Sequence, residues 1–284
     1  MKRFLLAAAA VTASLAVPAQ AADLARPAPP VYAPPPPIIA VFTWTGCYVG
    51  GNGGGLWSNK TFTNTNFIPG FAGFVPGFGP VVLPAVANGT DFGSQTVSGG
   101  LGGGQVGCNY QVANWVFGIQ ADYDGVGANG DGSNTGAALG FGFGAVTNHV
   151  DIRSLASVTG RVGYAWGRFL GYVKGGGAWV RDDYSLQSVA FLGGLGTFAT
   201  ASETRGGWTL GIGGEYAFLD WLTGFAEYDF YGFGTKTNNF NCTALLVCAA
   251  FVPTTFGVDI KQNVNVFKVG LNLKFGGGAG GFGF

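Results

Sequence analysis

Charge is the scarcest ingredient of this chain. Only 10% of its 284 residues are charged, with 14 basic and 14 acidic side chains and no net charge, against the usual quarter. A pI of about 6.5 leaves no electrostatic footprint for nucleic acid. The single His, His149, excludes any site built from several imidazoles. Past residue 21 no apolar run is long enough for a transmembrane helix. No strict Gly-x-y period exists, which excludes collagen, and 48% apolar residues exclude ordinary disorder. What the chain does hold is 53 Gly and 15% aromatics, a mixture that disfavours long helices. An all-β fold remains.

Residues 1–21 read as a secretory signal peptide. Lys2 and Arg3 precede an apolar stretch from Phe4 to Val17, and Ala19-Gln20-Ala21 supplies the small-x-small cleavage pattern. Residues 22–41 follow as a Pro-rich periplasmic tether, with seven prolines from Pro27 to Pro37 that favour extended polyproline geometry. Contact with the cell wall is one expectation for it, a plain spacer the other. Residues 42–275 form the folded domain, and 276–284 are a Gly- and Phe-rich extension.

Within the domain, stretches of strand character cover 43–57, 95–111, 114–124, 151–166, 168–181, 203–218, 221–233 and 262–275. The gaps between them alternate, long then short: about 20 to 40 residues, then about two. Eight strands joined in this way describe an up-and-down antiparallel transmembrane β-barrel, with short periplasmic turns and long outer loops near 58–94, 125–150, 182–202 and 234–261. Alternation supports it. Trp115, Phe117, Ile119, Ala121 and Tyr123 share one face, whereas Gly118, Gln120, Asp122 and Asp124 share the other. Large aromatics at both strand ends suit two membrane interfaces, so the apolar face is expected to meet lipid. The small and polar face then lines a narrow lumen.

These residues carry a resemblance. Trp44-Thr45-Gly46-Cys47-Tyr48-Val49-Gly50, Gly103-Gly104-Gln105-Val106-Gly107 and Val116-Phe117-Gly118-Ile119-Gln120-Ala121-Asp122 are part of it. Thr159-Gly160-Arg161-Val162-Gly163-Tyr164, Tyr172-Val173-Lys174-Gly175-Gly176 and Lys268-Val269-Gly270-Leu271-Asn272-Leu273-Lys274-Phe275 complete it. In order and spacing they resemble the porin-like outer-membrane immunogenic proteins of Gram-negative bacteria, small barrels of the OmpA type. The resemblance spans roughly residues 42–275 and implies an outer-membrane surface protein without catalysis. The family commonly has aromatics where Cys47 and Cys108 stand, often Glu at Gln120, and a chain end at the aromatic matching Phe275. The resemblance also implies that the barrel assembly machinery reads Lys268, Gly270, Leu273 and Phe275 as a sorting signal, and that membrane lipid and lipopolysaccharide surround the wall.

Chemistry is sparse. His149 stands beside Asp151 and Ser154, but a loop His is usually only solvated, so no catalytic role is expected. The Gly-rich stretches 50–55 and 99–104 lack the Lys-Ser/Thr and helix of a phosphate loop, and no cofactor is expected. Parity assigns Arg153, Arg161, Lys174, Arg205, Lys268 and Lys274 to the lumen, with Asp122, Asp124, Glu215, Glu227 and Asp229. Such charges must pair or stay wet. Near balance favours a plug of ion pairs, whereas an excess of one sign would suit a selective pore for small solutes. An adhesin acting through the Phe- and Pro-rich first outer loop is a third possibility. The four cysteines fit an oxidising compartment. Cys47 and Cys108 fall at the same end of neighbouring strands on the apolar side, which predicts one bridge. Cys242 and Cys248 predict a second within the fourth outer loop.

Overall fold

The structure, a computed structural model, describes residues 42–65, 67, 71–75, 79–83, 85, 87–134, 146–189, 195–242 and 255–276. The segments read as signal peptide and tether, and all but the first residue of the 276–284 extension, lie outside them, as does Cys248.

Among the described residues there are ten strands: β1 (Gly46–Asn64), β2 (Phe71–Val75), β3 (Gly79–Leu83), β4 (Asp91–Val112), β5 (Trp115–Asn134), β6 (Val146–Trp166), β7 (Phe169–Val189), β8 (Leu195–Ala217), β9 (Leu222–Cys242) and β10 (Thr255–Phe275). Eight of them close into one antiparallel barrel in the order β1-β10-β9-β8-β7-β6-β5-β4, while β2 and β3 pair as a separate hairpin in the first long loop. The expected all-β, eight-stranded barrel is therefore the fold.

The tight turns sit where the sequence runs out of alternation. Ala113 (φ 53°) and Asn114 join β4 to β5, and Gly167 (φ 63°) with Arg168 joins β6 to β7. Both need a left-handed residue, which Gly 167 adopts without strain.

Around the outside runs a belt of exposed apolar side chains bounded by aromatics. Trp115, Trp166, Phe169, Phe218 and Phe275 mark its turn end, and Trp57, Tyr123, Trp179, Trp208 and Tyr228 its loop end. Two aromatic rings with aliphatic side chains such as Ile119, Val173, Ile212 and Leu271 between them are the surface of a barrel in a bilayer.

The strands do not stop at the upper ring. They run 19 to 23 residues, whereas about 9–11 tilted residues cross a bilayer. Beyond the upper ring the wall reverses its polarity. Asn59, Thr96, Asn129, Arg153 and Arg181 now face outward, and Phe62, Val97, Val126, Ile152, Val180, Ile260 and Val264 pack inside as one buried cluster. The cause is the change of solvent: where water replaces lipid outside, burying apolar surface inside becomes favourable again. This corrects two expectations. The strands extend well into segments read as loops, and the lumen is not lined throughout by small and polar residues.

Register shifts interrupt the upper wall at several strand pairs, and two of them bear on the charged side chains. Arg153 is the extra residue of a bulge between β6 and β7, where pairing shifts between Ile152 and Ser154. Between β8 and β9 the ladder is interrupted from Thr200 to Trp208. There Glu203 bridges the gap with its side chain, accepting from Lys236 at 2.6 Å and Arg205 at 3.0 Å.

Candidate functional site

The lumen is filled by side chains in layers. At the turn end the chain before β1 folds inward. Trp44 is 1% exposed, its indole N–H donates to the Gly167 carbonyl at 3.1 Å, and its backbone N–H donates to Gln111 Oε1 at 2.7 Å. Phe42 packs edge-on against it, ring centroids 5.0 Å apart, with the Lys274 ammonium 4.6 Å and the Arg168 guanidinium 5.2 Å from the Phe42 ring centre. Lys274 also donates to the Thr43 carbonyl. Together these residues make a stopper at the barrel mouth.

Above it sits Arg161, 2% exposed. Its guanidinium lies 4.9 Å from the ring centres of both Tyr48 and Tyr172, a cation–π arrangement on two sides. It donates to Asn109 Oδ1 at 2.8 Å and Glu215 Oε2 at 3.2 Å. Glu215 accepts further from Thr223 and from Asn272 at 2.9 Å, and Asn272 accepts from Gln105 at 2.7 Å. Tyr48 donates to Gln120 at 2.8 Å. Every strong acceptor here has a donor, as a dry interior requires.

The middle layer holds Asp122, Asp124, Lys174, Glu227, Asp229 and Lys268, all with side chains 0% exposed. Lys174 lies 2.7 Å from Glu227 and 3.1 Å from Asp229, and Lys268 lies 3.3 Å from both Asp124 and Glu227. Tyr172 donates to Glu227 at 3.0 Å and Ser157 to Asp122 at 2.8 Å. Glycines on the inner face make room for these groups. A Cβ at Gly211 would overlap the Asp229 carboxylate, and one at Gly107 would overlap the Tyr48 hydroxyl.

The upper layer lies within the apolar cluster. Lys60, fully buried, pairs with Asp182 at 3.1 Å and donates to Tyr184 at 3.2 Å. Arg205, 1% exposed, donates to Glu203 and to the Ile260 carbonyl at 2.9 Å.

Ten of the eleven charges assigned to the lumen by parity therefore point inward: Asp122, Asp124, Arg161, Lys174, Arg205, Glu215, Glu227, Asp229, Lys268 and Lys274. Arg153 does not. Its side chain is 57% exposed on the outer wall, 3.2 Å from Asp151 and 3.0 Å from Asp183. Counting in twos from Arg161 fails at the bulge, because one inserted residue turns every later side chain to the opposite face. Lys60 and Asp182 were missed because they stand beyond the segments read as strands. Tyr48 and Tyr172 could have been found by parity, since each alternates with outward residues, but size argued against placing them inside.

His149 lies on the outer wall near the loop end, 3.4 Å from Asp151. Among the described residues no group of three or more His, Cys, Asp or Glu is placed to hold a metal ion. Cys47 and Cys108 are joined by a disulfide between directly opposed positions of β1 and β4. The expected pairing of Cys242 with Cys248 falls on a residue, Cys248, that lies outside the described ones. Of the sorting pattern, Lys268 points into the lumen, while Leu273 and Phe275 face outward on β10 at the turn end.

No protein-family model matches the chain. Over 280 residues it is 30% identical to the 31 kDa outer-membrane immunogenic protein of Brucella melitensis, covering 97% of this chain and 100% of that one. The Brucella suis protein of the same name matches to the same extent. Among solved structures it is similar to the outer membrane protein OprG of Pseudomonas aeruginosa, with a TM-score of 0.45, 11% identity, and 84% and 100% of the two chains covered. It is also similar to the outer membrane protease OmpT of Escherichia coli, with a TM-score of 0.44, 8% identity, and 82% and 98% covered. A barrel with two aromatic rings, matched along nearly all its length by such a relative, belongs to the outer-membrane immunogenic protein family and resides in the cell outer membrane.

Proposed function

We propose that this barrel is a closed structural element of the outer membrane, supporting the envelope and presenting its loops at the surface as an antigen, without catalysis. One observation carries the reading: Trp44, two charged layers and an apolar core follow one another along the lumen, with Trp44 and the side chains of Arg161, Lys174, Lys268 and their carboxyl partners almost wholly buried. A small-solute porin would need a wet path through them. Planar-bilayer recording of the purified barrel is expected to show no discrete conductance steps at neutral pH. Regular ion-conducting steps would favour the porin.

A second reading, an adhesin, draws on the β2–β3 hairpin, whose FAGFV and GPVVL strands stand in the first outer loop. Apolar segments in surface loops are contact sites in other surface proteins when they are exposed. Binding to host cells that falls when residues 66–86 are deleted from a barrel still assembled would favour it. Lipopolysaccharide is the proposed neighbour of the outer charged wall, and the cell wall that of the Pro-rich tether.

Assembly is proposed to depend on the end of β10. Phe275 occupies the last position of the final strand, opposite Cys47. Phe275→Ala is expected to lower the amount of folded barrel in outer-membrane fractions more than Phe284→Ala. The reverse ranking would assign the signal to the chain terminus.

A further inference from the structure

The middle layer of the lumen is not electrically balanced. Two ammonium groups, Lys174 and Lys268, face four carboxyl groups, Asp122, Asp124, Glu227 and Asp229. Fully ionised, it would hold two excess negative charges with every side chain 0% exposed. The neighbouring layers do not offset them. Arg161 is committed to Glu215 below, Lys60 to Asp182 and Arg205 to Glu203 above, and Leu155, Val180 and Val266 intervene. Uncompensated charge in so dry a place is costly, and such groups neutralise instead.

The hydrogen bonds show where. Glu227 is satisfied as a carboxylate, accepting from Lys174 and Tyr172. Asp229, two residues along the same face of β9, has no aligned donor on either oxygen, although Lys174 lies 3.1 Å away. Asp122 Oδ2 and Asp124 Oδ1 are likewise without donors, and the Tyr231 hydroxyl, on the same face and 0% exposed, has no partner. Around the layer β5 contributes Asp122 and Asp124, β7 Lys174 and Tyr172, β9 Glu227, Asp229 and Tyr231, and β10 Lys268. On the inner face β1 offers Asn52, β6 Ser157, β4 Gly103 and β8 Gly211, none of them titratable.

We propose that this layer is a proton-binding site: the folded barrel retains a proton at neutral pH, carried first by Asp229, and that proton holds the plug together. The inference rests on the closed-lumen reading and adds what keeps the lumen closed. A protonated Asp229 turns one unmatched acceptor into a donor for a neighbouring carboxylate and removes one excess charge. Loss of the proton at alkaline pH restores the repulsion and loosens the layer. A metal ion is the poorer occupant: the point on which the four carboxyl groups converge is already taken by the Lys268 ammonium, 3.3 to 3.6 Å from each, and among the described residues no acidic group is placed to hold a metal.

The sign follows from linkage. Unfolded carboxyls are ionised at neutral pH, so unfolding releases the proton and rising pH favours the unfolded state. One proton changes the unfolding constant about tenfold per pH unit until the folded site itself ionises. The test is urea unfolding of the full barrel in lipid vesicles from about pH 5 to about pH 10, with wild type and Asp229→Asn side by side. The wild-type midpoint is expected to fall as pH rises, and Asp229→Asn to flatten that fall. A flat or rising wild-type midpoint would overturn the proposal, as would a variant that keeps the full slope. Should Asp229→Asn fail to fold, infrared spectra of the wild type decide instead. A carbonyl stretch from a buried carboxylic acid at neutral pH supports the site, and its absence sinks it. A midpoint that rises saturably when sodium or potassium replaces N-methylglucamine at fixed pH would assign the counter-charge to a metal cation and refute the proton. Because unfolding and conductance are read separately, a barrel that conducts yet shows the Asp229-dependent slope would defeat the plug and leave the proton site standing.

Discussion

Arg161→Ala is expected to lower the barrel's unfolding free energy by about 3–5 kcal/mol, the range for removing one partner of a buried ion pair. Arg161 is 2% exposed and its guanidinium serves four neighbours at once: Glu215, Asn109 and the facing rings of Tyr48 and Tyr172. Deleting it leaves Glu215 in a dry interior without its cation, with only Thr223 and Asn272 as hydrogen-bond donors. Arg153→Ala is the internal control. Its ion pairs are exposed on the outer wall, and such pairs contribute roughly 0–1 kcal/mol. Urea titration of both variants in lipid vesicles checks the difference. Equal midpoints would mean that water reaches Arg161 and that the lumen is a hydrated path.

Replacing Cys47 and Cys108 together by Ser should cost about 4 kcal/mol on chain-entropy grounds, because the bridge closes a loop between positions 61 residues apart. The single Cys47→Ser variant should match the double variant, since each abolishes the same bond. Refolding yield and midpoint with and without reductant measure the effect, and non-reducing peptide maps identify the partner. A Cys47–Cys242 peptide would place the two ends of the barrel wall together and contradict the topology itself.

Much of the architecture was legible because lipid imposes a strict rule on the outer face. Where Trp115, Phe117, Ile119 and Tyr123 alternate with Gly118, Gln120 and Asp122, strand, facing and register follow from period two alone. The tight turns at Ala113 and Gly167 were legible for the same reason, as breaks in that alternation. Strand ends were not, because beyond Trp57 and Trp208 the alternation continues with its polarity reversed and reads as loop. Arg153 escaped because a one-residue bulge inverts parity without any mark in composition. Which charge meets which was beyond the sequence. Arg161 and Glu215 are 54 residues apart in the chain, and their meeting depends on the width and tilt of the closed barrel. Trp44 was read as part of the first strand, whereas the chain turns inward before Gly46, whose φ is 135°.

The reversal of polarity at the upper aromatic ring also fixes how deep the protein sits. Sliding inward by one residue pair would carry Asp151, Arg153, Arg181 and Asp183 toward hydrocarbon, where a charge on the lipid face of a barrel costs about 2–4 kcal/mol near the midplane. Sliding outward would wet the Trp208 and Trp179 rings and the aliphatic belt beneath them. Neither direction offers a shallow slope, so the barrel has one vertical station. In a bilayer thicker or thinner than that belt, the hydrophobic mismatch falls on the lipid, which must stretch or thin at the wall while the protein stays where it is.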